Sequence, residues 1–126
     1  MQALVLVFIG GGLGAAARHL FNLAAARLFG IGFPWGTFGV NVIGGLAMGL
    51  LTAWLASRTQ GTSEHLRLFL ATGILGGFTT FSAYSLDAVV LWERGAHTAA
   101  LFYVVASVVL AIGGVAVGLA IGRAFA

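Results

Sequence analysis

Four long apolar runs, separated by short stretches of polar and turn-forming residues, divide the chain. The first extends from about Ala3 to Leu28, the second from about Thr37 to Ser57, the third from about Leu66 to Trp92 and the fourth from about Thr98 to Gly122. A helix rising 1.5 Å per residue needs roughly 20 apolar residues to cross a hydrocarbon core of about 30 Å, so each run is long enough to span a bilayer. The segment Phe29 to Gly36 contains the only proline, Pro34, and three glycines, as a connecting turn would. The polar run Arg58 to Glu64 and the short stretch Glu93 to His97 make the other two connections. Trp35, Trp54 and Trp92 fall near run ends, where an amphipathic ring prefers the headgroup layer. The pattern predicts an all-α membrane protein, residues 1–126 forming a single four-helix transmembrane domain with its third helix broken.

Composition agrees, because 60% of the residues are hydrophobic, only 7% are charged and the mean hydropathy is +1.07. A soluble domain carries about a quarter charged residues, so this chain cannot clothe a water-facing surface. The first run lacks a preceding basic flank and contains Arg18 and His19, which marks it as a retained span and not a signal peptide. Six arginines and no lysine give a formal charge of +3, but they are scattered, so no nucleic-acid partner is expected. With no cysteine, disulfides, thiolate metal sites and cysteine nucleophiles are excluded.

Every run carries glycines four residues apart: Gly10 and Gly14, Gly45 and Gly49, Gly73 and Gly77, then Gly114, Gly118 and Gly122. Such spacing lets helix backbones approach closely where lipid supplies no hydrophobic drive. Polar residues are few, and each must face protein or water, because an unpaired polar group in hydrocarbon costs several kcal/mol. Thr37 and Asn41 stand one turn apart on the second run, as do Tyr103 and Ser107 on the fourth. Asn, Thr, Ser and Tyr all supply N–H or O–H donors without negative charge, which suits an anion. A proton-coupled exporter would want a carboxylate deep in a span. Only Asp87 approaches that description, and its place near Glu93 favours a mouth or interface. Arg18 lies within the first run, where it either ties down carbonyls of a neighbouring helix or draws anions into a vestibule.

The third run contains Gly-Ile-Leu-Gly-Gly-Phe-Thr-Thr-Phe-Ser from Gly73 to Ser82, and paired glycines followed by paired threonines are poor helix formers. A break is predicted between Gly76 and Thr80. The freed backbone groups must be met by protein, water or an ion, so the break is either a packed kink or an ion site. Phe81 and Tyr84 lie three residues apart beyond it and share a face. They either pack a core or offer positive ring edges to an anion.

These motifs, together with Gly12-Leu-Gly-Ala-Ala-Ala-Arg18 and Gly36-Thr-Phe-Gly-Val-Asn41-Val-Ile-Gly44, resemble the CrcB/Fluc family of fluoride channels along the whole chain. The resemblance implies an antiparallel homodimer of dual topology in the bacterial inner membrane, with two pores that export fluoride. By position, Phe81 and Tyr84 look like the pore aromatics, Asn41 and Thr37 like the donors facing them, and Tyr103 and Ser107 like a polar track. Thr80 and Ser82 add hydroxyls at the same level. Backbone carbonyls of Gly76 and Thr79, from both subunits, match a structural Na⁺ site, and Arg18 matches the family's first-span arginine. Tyr84 stands where phenylalanine is common in the family, and the phenol either adds a donor to the pore or narrows it.

A small multidrug-type proton-coupled exporter is the alternative, but its first span needs an acidic residue and this one carries Arg18. A serine hydrolase built on Ser82 would require a histidine base at the same depth, and His97 lies at a loop, so no enzyme is expected. Loop charge gives almost no orientation bias: Arg58, Arg67 and Arg123 lie on the side of the termini, Arg27 and Arg94 opposite. If loop charge sets topology, a single cysteine introduced at a terminus should be labelled from each side of the membrane in about half of the molecules. Labelling from one side only would show that insertion has a fixed direction.

Overall fold

The computed structural model describes residues 1–58 and 64–125. Four spans are present: α1 (Gln2–Phe29), α2 (Trp35–Ala56), a broken third span, and α5 (His97–Ala124). The first half of the third span, residues 64–78, is here called α3, and the second half, Ser82–Glu93, is α4. All four spans are long and apolar enough to cross a membrane. The expected limits agree to within a few residues at each end. Residues 59–63 of the Arg58 to Glu64 connection lie outside the described residues.

Glycine dictates how the spans pair. A Cβ on Gly10 would stand 2.6 Å from the Phe69 carbonyl oxygen, one on Gly14 would collide with the Ile74 carbonyl, and one on Gly77 would collide with that of Gly11. The α1 and α3 backbones are therefore in direct contact. Likewise Gly45 abuts the Ala111 carbonyl, Gly49 that of Val115, and Gly118 that of Leu46, which brings α2 against α5. In both pairs residue numbers rise together along the contact, so partners run parallel. The glycines four apart thus mark two tight parallel pairs, α1 with α3 and α2 with α5.

The pairs are joined where larger side chains fit glycine gaps. Asn22 fills the space above Gly36, the Phe21 ring lies over Gly39, and the Thr79 methyl occupies the place where Gly44 lacks a Cβ. On the other side Tyr84 and Leu91 of α4 pack on Ala100 and Tyr103 of α5. The core is narrow, with large apolar residues such as Phe8, Val109 and Ile112 left facing outward, as lipid contact requires.

One end of the bundle is closed by aromatic rings. Phe33, in the α1–α2 turn, meets Tyr103 edge-on at 5.4 Å and Trp35 at 4.6 Å, while Arg94 donates to the Gly32 carbonyl at 2.8 Å and ties the two turns at that end together. Gly30 and Gly95 make these turns possible, with φ of 79° and 84°. Trp35, Trp54 and Trp92 are all partly exposed near span ends, as expected of an interfacial belt.

Gly14→Ala should destabilise the bundle by about 1–3 kcal/mol, because the Ile74 carbonyl cannot move aside cheaply. Gly32→Ala, in open space, should have little effect. Thermal unfolding in detergent compares the two.

Candidate functional site

The third span departs from an α-helix in two ways. After one α turn, Glu64–Arg67, the backbone winds as a π-helix over Leu68–Leu75, returns to one α turn at Gly76–Phe78, and then leaves helical geometry at Thr79, with φ −88° and ψ 161°. The interruption occupies residues 79–81, so it begins beyond the two glycines, which remain helical, and extends past Thr80. Gly77 serves close packing against α1, whereas the β-branched Thr79 carries the extended backbone.

Side chains take up several of the backbone groups that the break releases. Thr80 N–H, which would donate to the Gly76 carbonyl in a continuous helix, donates instead to Asn41 Oδ1 at 2.8 Å. Asn41 Nδ2 returns a bond to the Thr80 carbonyl at 2.9 Å. The carboxamide therefore clamps the Thr80 peptide unit from α2. Ala83 N–H, the helical partner of the Thr79 carbonyl, goes to Thr80 Oγ1 at 3.1 Å, which makes Thr80 the capping side chain of α4. Phe81 N–H is displaced from the Gly77 carbonyl, and Arg18 Nε takes its place at 3.1 Å. Of the two alternatives for Arg18, the structure has it tying down a neighbouring helix carbonyl. The carbonyls of Gly76 and Thr79 have lost their helical donors, and no substitute reaches either among the described residues.

Beside the break lies an open groove of about 560 Å³, walled by Asn41, Thr79, Thr80, Phe81, Tyr84 and Ser107 with small and aliphatic neighbours. No ionised side chain lines it. Phe81 projects outward, 77% exposed, whereas Tyr84 is buried, and their rings meet at 5.5 Å. Most donors in the wall are already engaged. Thr79 Oγ1 donates to the Leu75 carbonyl at 2.9 Å and the Tyr84 phenol to the Val104 carbonyl at 2.9 Å. Ser107 Oγ is buried and makes no hydrogen bond among the described residues. It is the wall's uncommitted hydroxyl.

Other expected site residues lie elsewhere. Thr37 and Tyr103 are both buried, and Tyr103 donates to Asp87 Oδ2 at 3.2 Å. Neither lines the groove itself. Ser82 is exposed next to it, with its hydroxyl 3.5 Å from that of Thr80. Arg18 acts from the far side of the break. The sequence pattern did not mark Gly44, whose missing Cβ admits the Thr79 methyl, or Met48 and Val108 of the wall. The i, i+4 step from Asn41 to the Gly44–Gly45 pair was the available signal.

For a cation the oxygens to consider are carbonyls, since among the described residues no three His, Cys, Asp or Glu side chains gather. The Gly76 and Thr79 carbonyls are hard, neutral oxygens released by the break, a donor type that fits an alkali cation and not a transition metal. Two oxygens from one chain are too few to enclose such an ion.

Four helices long and apolar enough to cross a membrane, the third of them broken beside a groove that no ionised side chain lines, define a multi-pass membrane protein. Residues 5–119 match the family described as "CrcB-like protein, Camphor Resistance (CrcB)", and the chain belongs to this family. It is 56% identical over 120 residues to the "Fluoride-specific ion channel FluC" of Rhodopseudomonas palustris (strain BisB5), covering 95% of this chain and 96% of that one. Proteins with the same description from Chelativorans sp. (strain BNC1) and Methylobacterium nodulans are 57% and 58% identical, over 98% of both chains and 96% of both chains respectively.

Asn41→Leu should leave the Thr80 N–H and carbonyl unpaired and cost roughly 2–4 kcal/mol, since each buried unsatisfied group costs about 1–3 kcal/mol. Unfolding midpoints in detergent, with Asn41→Gln alongside, measure the loss. An Asn41→Leu protein as stable as the original would mean that the clamp does not hold the break.

Proposed function

We propose that this protein is a fluoride-selective channel of the bacterial inner membrane that lets fluoride leave the cytoplasm, and that it works as an antiparallel homodimer. The observation that carries this reading is the neutral groove, whose one free hydroxyl, Ser107, and outward ring, Phe81, stand at a broken span in a chain whose relatives are described as fluoride-specific ion channels. A small, strongly hydrated anion gives up water only where donors replace it, and a wall without fixed positive charge lets it move on. An inside-negative potential of 100 mV supplies about 2.3 kcal/mol per unit of negative charge in the outward direction, so no coupled proton is needed. Asp87, the acid within the spans that stands away from their ends, is held by Tyr103, which supports conduction over proton-coupled export.

Exposure supports the dimer. In one chain the groove is open along its side and Phe81 projects outward from its wall, so a second surface would be needed to enclose an ion path. A copy of opposite orientation, related by a two-fold axis in the membrane plane, would close each groove and give two pores. The same axis would bring the Gly76 and Thr79 carbonyls of both copies together, which supplies four oxygens for one structural Na⁺. That ion would hold the subunits together and take no part in moving the anion.

Proteoliposomes containing the protein should release fluoride, read with a fluoride electrode, and retain chloride, and Phe81→Ile should slow release. Release of both anions alike, or of neither, would overturn the assignment. Replacing Na⁺ by a bulky organic cation throughout should weaken both dimerisation and flux, and if neither changes the carbonyl site is wrong.

A further inference from the structure

The Thr79 side chain is held at both of its branches. Its hydroxyl donates to the Leu75 carbonyl of the same span at 2.9 Å, and its methyl fills the space that Gly44 of α2 leaves by having no Cβ. A β-branched side chain carries both groups at a fixed angle on one carbon, so neither moves without the other. A Cβ on Gly44 would collide with that methyl, and Thr79 could withdraw it only by giving up the bond to Leu75. The next backbone group is held from the same helix. Thr80 N–H donates to Asn41 Oδ1 at 2.8 Å, and Asn41 stands three residues before Gly44, on a neighbouring face of α2. Thr80 N–H and the Thr79 carbonyl belong to one planar trans peptide unit, so they point in opposite directions. Turning the N–H toward α2 therefore turns the Thr79 carbonyl away from it.

We propose that Gly44 is a positioning residue for the carbonyl site: by admitting the Thr79 methyl it fixes the plane of the Thr79–Thr80 peptide, and with it the direction in which the Thr79 oxygen is presented to a cation. The proposal rests on the sodium reading above and adds to it a residue that supplies no oxygen. Gly44 differs in this from the other glycines of its helix. Gly45 and Gly49 abut carbonyls of α5, so a Cβ there would push two helices apart, whereas a Cβ on Gly44 would meet a side chain at the break itself. The peptide after Thr79 has left the helical ladder, so its orientation is set by these side-chain contacts and not by neighbouring turns. Neutral oxygens hold a hard cation only where they converge on it, so an oxygen turned aside is a ligand lost. In a two-fold dimer one substitution would turn two of the four oxygens.

The test measures how Na⁺ protects the dimer against heat in detergent, at constant ionic strength with a bulky organic cation making up the balance. A ligand raises the thermal midpoint once its concentration exceeds its dissociation constant, so the onset of protection reports cation affinity however stable the protein is without the ion. In Gly44→Ala protection should set in at roughly tenfold higher Na⁺. Gly44→Ala combined with Thr79→Ser, which removes the methyl but keeps the hydroxyl, should bring the onset back to that of the unchanged protein. A glycine that serves packing alone would lower the thermal midpoint of Gly44→Ala at every Na⁺ concentration and leave the onset where it was, and that result overturns the proposal. So does a double variant whose onset stays as high as that of Gly44→Ala. If Gly44→Ala does not assemble, the double variant carries the test: an onset like that of the unchanged protein supports the proposal, and a raised onset or failure to assemble overturns it. An unchanged protein that Na⁺ does not protect would overturn the sodium reading itself, and the proposal with it.

Discussion

A peptide group inside hydrocarbon has no water to bond with, and the centre of this molecule depends on how that requirement is met at Thr80. The Asn41 carboxamide reproduces, with one donor and one acceptor, the two bonds that a helix would have given the Thr80 peptide unit. Because α2 supplies the replacement, the third span can turn aside at Thr80 with that residue's backbone groups paired. Arg18 does the same for the Gly77 carbonyl from α1, and Thr80 Oγ1 does so for Ala83 within the span. Three helices therefore converge on one break.

Glycine makes such convergence possible. Where α1 and α3, or α2 and α5, meet, backbone touches backbone, so each pair behaves as one thick rod with little freedom to slide. The looser contacts lie between the pairs, at Gly36, Gly39 and Gly44, and there side chains such as Asn22, Phe21 and Thr79 are accommodated. Polar chemistry occupies this seam. Asn41, Thr79, Thr80 and Ser107 all lie where the two rods face one another, and the Tyr103–Asp87 pair lies just behind.

The four spans, their ends and the glycine pairing were legible in the sequence because hydropathy and the i, i+4 rule are local properties. The break was legible to within a few residues. Its exact bounds shifted because Gly77, a poor helix former in isolation, is packed against the α1 backbone at Gly11 and Ala15, and the helix runs on to Phe78. What the sequence hid were the acceptors. Tyr84 bonds to a main-chain carbonyl at Val104, and Arg18 to one at Gly77; a carbonyl has the same chemistry at every position, so no pattern identifies which one a distant side chain will reach. The separate status of Ser107 was hidden for a related reason, since a donor is free only relative to how its neighbours are engaged. Asn41 was singled out as a donor, yet its larger task is to carry the break.

The π-helical stretch Leu68–Leu75 has a further consequence. A π-wound segment holds more residues per turn than an α-helix, so over the same height it stores surplus chain and changes the angle at which everything after it emerges. Phe81 and Tyr84 emerge after it. Their azimuth around the span is therefore encoded in the winding of a segment that never touches the groove, and the length of that segment acts as a phase setting. Exchanging one aliphatic side chain for another there leaves the phase intact, whereas gaining or losing a single residue would rotate both rings away from α5 together.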